Sequence, residues 1–271
     1  MSPEELLRTT VAPVVTADND RELAVPPLLT RDQALLLDVD GCLLDLAPTP
    51  NEVSVPTFLP GLLTELGEQL DQALAVISGR SLEVVDVLLA PWRASGAGVH
   101  GAELRLPGTD RIQLAPRRAS AIVARLRARF VDVPDVIVED KGAAVAVHFA
   151  RCPQREAECE AALLEAMRTV PGMRMQKGHH VREALPADSN KGTALGVLMQ
   201  HAPFAGRSPV FAGDDRTDEA AFAEVNARDG ISIKVGSGPT QAHYRLGTPG
   251  QVLQWLQASL QSMRGDPEEE Q

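Results

Sequence analysis

The sequence predicts an α/β fold: a doubly wound parallel sheet, Rossmann-like, carrying an inserted smaller α/β domain. Three observations predict it. Short apolar runs alternate with helix-period stripes over residues 31–106, and the same alternation resumes over 188–264. The apolar runs have no polar break, as in strands covered on both faces. Between them, residues 107–187 carry strand and helix patterns in a different order, as a compact insertion with its own small sheet would.

The first strand is Leu35-Leu36-Leu37, preceded by Ala34 and stopped by Asp38. Asp40 follows two residues later, so in an extended backbone both carboxylates point the same way. Gly41 then permits an immediate turn. A helix near 57–71 sets Leu59, Leu62, Leu63, Leu66 and Leu70 on one stripe. The run Ala73 to Ile77 ends at Ser78-Gly79-Arg80, and Ser81 is placed to cap a helix bearing Leu82, Val85, Leu88 and Leu89. A short strand before or including Val99 leads into His100-Gly101-Ala102-Glu103.

In the insertion, a helix around 117–130 precedes alternation through Val136, Val138, Ala143, Val145 and Val147. A helix near 154–169 and a short stretch around Val181 complete it. The second half of the main sheet opens with Asn190-Lys191-Gly192-Thr193 at the start of a helix. Val210-Phe211-Ala212 then runs into Gly213-Asp214-Asp215, Ile231 to Val235 forms another strand, and a helix near 250–263 closes the fold. Residues 1–30, with scattered prolines, read as an extension lying on the surface or partly disordered. Residues 265–271 read as an acidic tail.

Composition narrows the function. Of 271 residues, 44% are hydrophobic but only 3% aromatic, so a sizeable core is packed by aliphatic side chains. A net charge of -11 argues against nucleic acid or an anionic membrane as partner. Three cysteines without a CxxC spacing suggest neither a disulfide framework nor a zinc cluster, and fit a reducing cytoplasm. No apolar run is long enough to span a bilayer.

In doubly wound sheets the ligand lies beyond the carboxyl ends of the strands. Asp38 and Asp40, Ser78, Asp214 and Asp215 all fall there, and Lys191 sits in the first turn of a helix, against the macrodipole. Together they point to phosphoryl transfer. Asp38 and Asp214 can hold Mg²⁺, while Lys191 and the Ser78 hydroxyl answer the remaining phosphate charge and lone pairs. Asp38 is placed to attack phosphorus, and Asp40 to protonate the leaving oxygen and later deprotonate water. That role calls for surroundings that favour the neutral acid at Asp40. Plainer readings exist: Ser78 as a strand-end turn residue, Arg80 as a structural ion-pair partner, and Asp218-Glu219 as a helix N-terminus.

The strings Leu37-Asp38-Val39-Asp40-Gly41, Val76-Ile77-Ser78-Gly79-Arg80, Lys191 and Gly213-Asp214-Asp215-Arg216-Thr217-Asp218-Glu219 resemble the four motifs of haloacid-dehalogenase-like phosphatases. With Ala47-Pro48-Thr49-Pro50, Gly98-Val99-His100-Gly101-Ala102-Glu103 and Ala202-Pro203-Phe204, the resemblance narrows to the trehalose-6-phosphate phosphatase family over about residues 33–260. It implies a Mg²⁺-dependent phosphatase core with an inserted α/β cap, hydrolysing trehalose 6-phosphate to trehalose and phosphate through an aspartyl phosphate. It further implies Asp38 as nucleophile and metal ligand, Asp40 as acid/base and as carbonyl donor to the metal, and Asp214 as second carboxylate ligand. Asp215 and Asp218 would lend support. Ser78, Gly79 and Arg80 would face the phosphate; Glu139, Lys141, His179 and Glu183 of the cap would face the sugar.

Three departures stand out. Cys42 replaces a threonine, Gly178-His179 replaces Gly-Lys with Lys177 on the other side of the glycine, and Ala150 replaces an arginine, with Arg151 one step later. They keep open the same chemistry on sucrose 6-phosphate or mannosyl-3-phosphoglycerate. A rival from another class is a non-catalytic sugar-phosphate sensor, which loss of Asp38, Asp40, Lys191 or Asp214 would mark; all four are present.

Overall fold

A computed structural model describes residues 23–47, 52–93, 95–106, 108–109, 112–113, 119–178 and 180–265. Its main sheet begins with β1 (Gln33–Leu37), whose leucines are buried on both faces. Next come α1 (Leu59–Gln69), β2 (Leu74–Ile77) and α2 (Leu82–Leu88). The leucine stripe of α1 packs inward, and Pro60 in its first turn forfeits no helical hydrogen bond. Ser81 caps α2, its hydroxyl accepting the Val84 N–H.

β3 (Gly96–Gly98), β4 (Glu103–Arg105) and β5 (Ile112–Gln113) extend the sheet on one side of β1. After the insertion, α5 (Lys191–Leu198), β10 (Ser208–Gly213), α6 (Glu219–Asn226), β11 (Ile231–Val235), β12 (Tyr244–Leu246) and α7 (Pro249–Arg264) complete the fold. The strand order is β12-β11-β10-β1-β2-β3-β4-β5, parallel except at β3-β4 and β4-β5. The chain therefore leaves β1 in one direction and returns on the other, which opens a crevice at its carboxyl end.

The insertion has its own four-stranded antiparallel sheet, order β6-β7-β9-β8, from β6 (Ile137–Asp140), β7 (Val145–His148), β8 (Met173–Gly178) and β9 (Val181–Pro186). Helices α3 (Ala119–Arg129) and α4 (Glu156–Met167) belong to its separate core, where Ile122, Leu126 and Leu163 meet Val145, Val147 and Phe149. A third, small apolar cluster joins the two bodies: Val99 and Ala102 from below, Ala143, Ala144 and Leu185 from above. Four of these five side chains are Val or Ala, so the seam is thin and close.

The structure differs from the sequence reading in several places. β8 is a full six-residue strand where only a stretch around Val181 was expected: Met173 and Met175 pack on the cap core and alternate with Arg174 and Gln176, a pattern only four residues long before Lys177 and Gly178. The sheet continues past residue 107 into β5. Residues 24–29 are part of the main body: Ala24 bridges to Tyr244, the Leu29 N–H donates to the Ser259 hydroxyl, and the Trp255 indole N–H donates to the Pro27 carbonyl. Leu29 is buried there, so this end of the extension is fastened by side-chain burial. The earlier part of the extension and the acidic tail lie outside the described residues. Among the described residues no helix is long and apolar enough to cross a membrane.

Candidate active site

Register brings the candidate residues together. Leu37 lies opposite Val76 on β2 and opposite Ala212 on β10, so Asp38, Ser78 and Asp214 emerge side by side at three adjacent strand ends. The Asn190 side chain caps α5 by accepting the Thr193 N–H, which fixes the helix start and presents Lys191 to the same crevice. Lys191 is buried, with Nζ 2.9 Å from Asp38 Oδ2 and 2.6 Å from Asp218 Oδ1. The other Asp218 oxygen accepts the N–H groups of Asp214 at 2.9 Å and Asp215 at 3.0 Å. Asp218 thus fastens the lysine to the turn after β10, with both of its oxygens already bonded.

Burial drives the electrostatics. It pushes the Asp38 carboxyl well above the ordinary aspartate range, against the pull of Lys191. Asp214 is pushed up to about 6, by burial first and then by the charges of Asp218 and Asp215. Lys191 is held above the usual lysine range, because Asp218 and Asp38 outweigh its own burial. Asp215 goes the other way: burial opposes, but Lys191 and the Thr217 donors lower it.

Carboxylate oxygens of Asp38, Asp214 and Asp218 lie within 4.8 Å of one another. Since Asp218 is spent on Lys191 and the backbone, Asp38 and Asp214 are the pair with oxygens to offer a cation. Two raised carboxyls facing one small space form a hard-oxygen donor set that suits Mg²⁺. Gly41 makes room for it: at φ +74° its missing Cβ would fall 2.1 Å from Asp214 Oδ2.

Asp40 pairs with Arg80. Its two oxygens take a pair of donors from Arg80, Nε at 2.6 Å and Nη2 at 2.7 Å, the fork geometry of a carboxylate with a guanidinium. The Asp40 side chain is also not among the carboxylates grouped for a cation. Ser78 is buried, and its hydroxyl accepts the Arg80 N–H at 3.1 Å, which leaves the hydroxyl proton to donate.

From the insertion, Lys141 and Glu183 reach this turn. Lys141 Nζ donates to the Gly79 carbonyl at 3.2 Å and to Glu183 Oε1 at 2.6 Å. Glu183 Oε2 lies 3.1 Å from His100 Nε2. Burial opposes ionisation of Glu183, but Lys141 and His100 lower it well below the carboxylate range. Glu139 turns instead to His148, 2.8 Å away. His179 lies outside the described residues.

The sequence model of the trehalose-phosphatase family matches residues 36–249. This chain belongs to that family. It is 40% identical over 237 residues to trehalose-6-phosphate phosphatase of Escherichia coli K12, covering 87% of this chain and 89% of the relative. It is 43% identical over 218 residues to a probable trehalose-phosphate phosphatase of Sinorhizobium fredii, covering 79% and 82%. Among solved structures, a trehalose-6-phosphate phosphatase related protein superposes with TM-score 0.74 at 26% identity, covering 86% of this chain and 99% of that one. The C-terminal domain of Candida albicans trehalose-6-phosphate phosphatase shares the fold, with TM-score 0.70 at 22% identity over 88% and 98%. The chain is accordingly a phosphatase, a phosphoric monoester hydrolase, with a parallel-sheet core and a cap.

Two residues near the site were missed by reasoning from the sequence. Lys234 on β11 is buried and donates to the main-chain carbonyl of Asp214; its one signal is a lone lysine inside an apolar strand. His100 was noted only as a position after a short strand and in the family string, with no role given to it. It sits in a run of three positive φ values, Val99 at 51°, His100 at 53° and Gly101 at 98°. For the two non-glycine residues such backbone costs about 1–3 kcal/mol each and persists where packing enforces it.

Proposed function

We propose that this trehalose-phosphatase family member hydrolyses trehalose 6-phosphate to trehalose and phosphate, with Mg²⁺ as cofactor and an aspartyl phosphate at Asp38. The observation that carries the reading is the buried chain Asp38–Lys191–Asp218 beside the raised carboxyl of Asp214. Mg²⁺, held by Asp38 and Asp214 with the Asp40 carbonyl and with Asp215 and Asp218 in support, would supply the charge that draws phosphate oxygens against these acids.

The chain's own residues carry the steps. Lys191 and the Ser78 hydroxyl hold the phosphate oxygens, and the Ser78–Arg80 turn orients them. An Asp38 oxygen attacks phosphorus as the bond from phosphorus to the sugar oxygen breaks, and Asp40 gives that oxygen its proton. Asp40 then takes a proton from water, the water attacks phosphorus, and the bond to Asp38 breaks to release phosphate. Before either transfer Arg80 must release Asp40, and an arriving phosphate is the anion that can draw the guanidinium away. Lys141 and Glu183 of the cap would hydrogen-bond sugar hydroxyls and exclude water; Glu139 and His179 belong to the same proposed surface.

A cytoplasmic location is proposed from the three cysteines, all buried as free thiols. Phosphate release from trehalose 6-phosphate, sucrose 6-phosphate and mannosyl-3-phosphoglycerate, with and without Mg²⁺, tests the assignment. The expected result is rapid, Mg²⁺-dependent turnover of trehalose 6-phosphate, lost in Asp38→Asn. Slow, unselective release across the panel would overturn the substrate and spare the reaction class.

A further inference from the structure

Resting on the function proposed above, we propose that His100 is a positioning residue that sets selectivity for the sugar, by holding Glu183 of the cap against the Ser78–Arg80 turn. Four observations converge on it. His100 belongs to the core, yet the partner of its Nε2 is a cap carboxylate, Glu183 Oε2 at 3.1 Å. The ring lies against Gly79, where an added Cβ would come within 2.7 Å of it. Its other nitrogen, Nδ1, is buried without a hydrogen-bond partner among the described residues. The ring is held by a strained backbone at φ 53° that packing must enforce.

These contacts make His100 the middle of a polar chain between core and cap. Glu183 is shared by His100 and Lys141, and Lys141 returns to the core at the Gly79 carbonyl. Gln176 Nε2 also lies 3.3 Å from the same His100 Nε2, Gln176 Oε1 accepts from Arg174, and Arg174 donates to the Ser189 carbonyl just before the helix that bears Lys191. A histidine that served only its own domain would place its donors there. This one spends its hydrogen bond on the cap acid and buttresses the turn beneath it. The position of Glu183 relative to the phosphate end of a substrate is therefore set by the ring. Sugar hydroxyls that meet Glu183 are registered against the Ser78–Arg80 turn through one side chain.

The test compares kcat/KM for trehalose 6-phosphate with that for p-nitrophenyl phosphate, a phosphomonoester without sugar hydroxyls. Asn accepts left-handed backbone, so His100→Asn removes the ring and its reach while keeping the turn. The ratio of the two kcat/KM values should fall by roughly ten- to a hundredfold, the range for losing a hydrogen bond to a charged group, with KM for the sugar phosphate carrying most of the change. His100→Gln, which restores a donor, should recover part of the ratio. In a double-mutant cycle, His100→Asn with Glu183→Gln should lose no more selectivity than the larger single change.

Equal losses on both substrates, or additive losses in the cycle, would overturn the proposal and leave His100 a packing residue. If wild type showed no preference for trehalose 6-phosphate over p-nitrophenyl phosphate, the assigned substrate would fall, and the role of His100 with it.

Discussion

Asp38, Asp214 and Asp218 meet in a crevice that buries Asp38 and Asp218 and half-buries Asp214, and a buried lysine answers part of their charge. Asp214 carries the consequence. In the metal-free folded chain its carboxyl holds a proton up to about pH 6, against 3.8 when unperturbed. The folded state therefore binds more protons than the unfolded chain between these values, so its contribution to stability is greatest at low pH and falls as pH rises through about 6. Urea unfolding of the metal-free protein should show this term. Protons should also compete with Mg²⁺, with the half-saturating Mg²⁺ concentration rising up to about tenfold per pH unit below about 6, measured by calorimetry. A Mg²⁺ affinity flat from pH 7 to about 5 would remove Asp214 from the ligand set. Much of this was legible, because acids directly after apolar strands can only lie at the strand ends. An ion-pair role for Arg80 was among the readings, but not its partner, because nothing in two residues 40 positions apart says that Arg80 will meet Asp40.

At the scale of the element, β1 and the turn after it determine whether the carboxylates can converge. Gly41 is the sensitive position, with φ +74° and no room for a Cβ beside Asp214 Oδ2. Gly41→Ala should lower stability by about 1–2 kcal/mol from the left-handed backbone alone, with the clash adding to it. It should also weaken Mg²⁺ binding, since Asp214 must shift; unchanged Mg²⁺ affinity would show that Asp214 does not bind the ion. β1 was readable from three consecutive leucines and β2 from its apolar run, since strands covered on both faces need no alternation. β8 went unread because its alternation of Met173 and Met175 with Arg174 and Gln176 lasts only four residues, and its place is fixed by pairing with β9. The strand β12 is likewise short and set by its neighbours, β11 and residue 24.

Across the whole molecule, a large aliphatic core supports the chemistry and a small second core supports the cap, with a thin alanine-rich seam between them. The seam is made of small apolar side chains, so the polar contacts of Lys141, Glu183 and His100 are the directional part of the junction. Selectivity should therefore live in the cap and reaction class in the core. Glu183→Ala should change the preference among sugar phosphates while leaving the Asp38 chemistry in place, measured as relative kcat/KM across a sugar-phosphate panel. An unchanged preference would move recognition elsewhere. The two-body plan was legible in the chain, since the β pattern breaks off near 107 and returns near 188. The junction was not, because it depends on how His100 and Glu183, 83 residues apart, come to face one another.

The most direct test of nucleophilic attack by Asp38 is a chemical trap. Wild-type protein turning over trehalose 6-phosphate with Mg²⁺ is quenched in acid and treated with borohydride, which reduces an acyl phosphate to an alcohol, and the peptides are read by mass spectrometry. The account predicts homoserine at position 38 and nowhere else, with none when substrate is omitted. Reduction at another carboxylate, or full turnover with position 38 untouched and activity kept in Asp38→Asn, would contradict it.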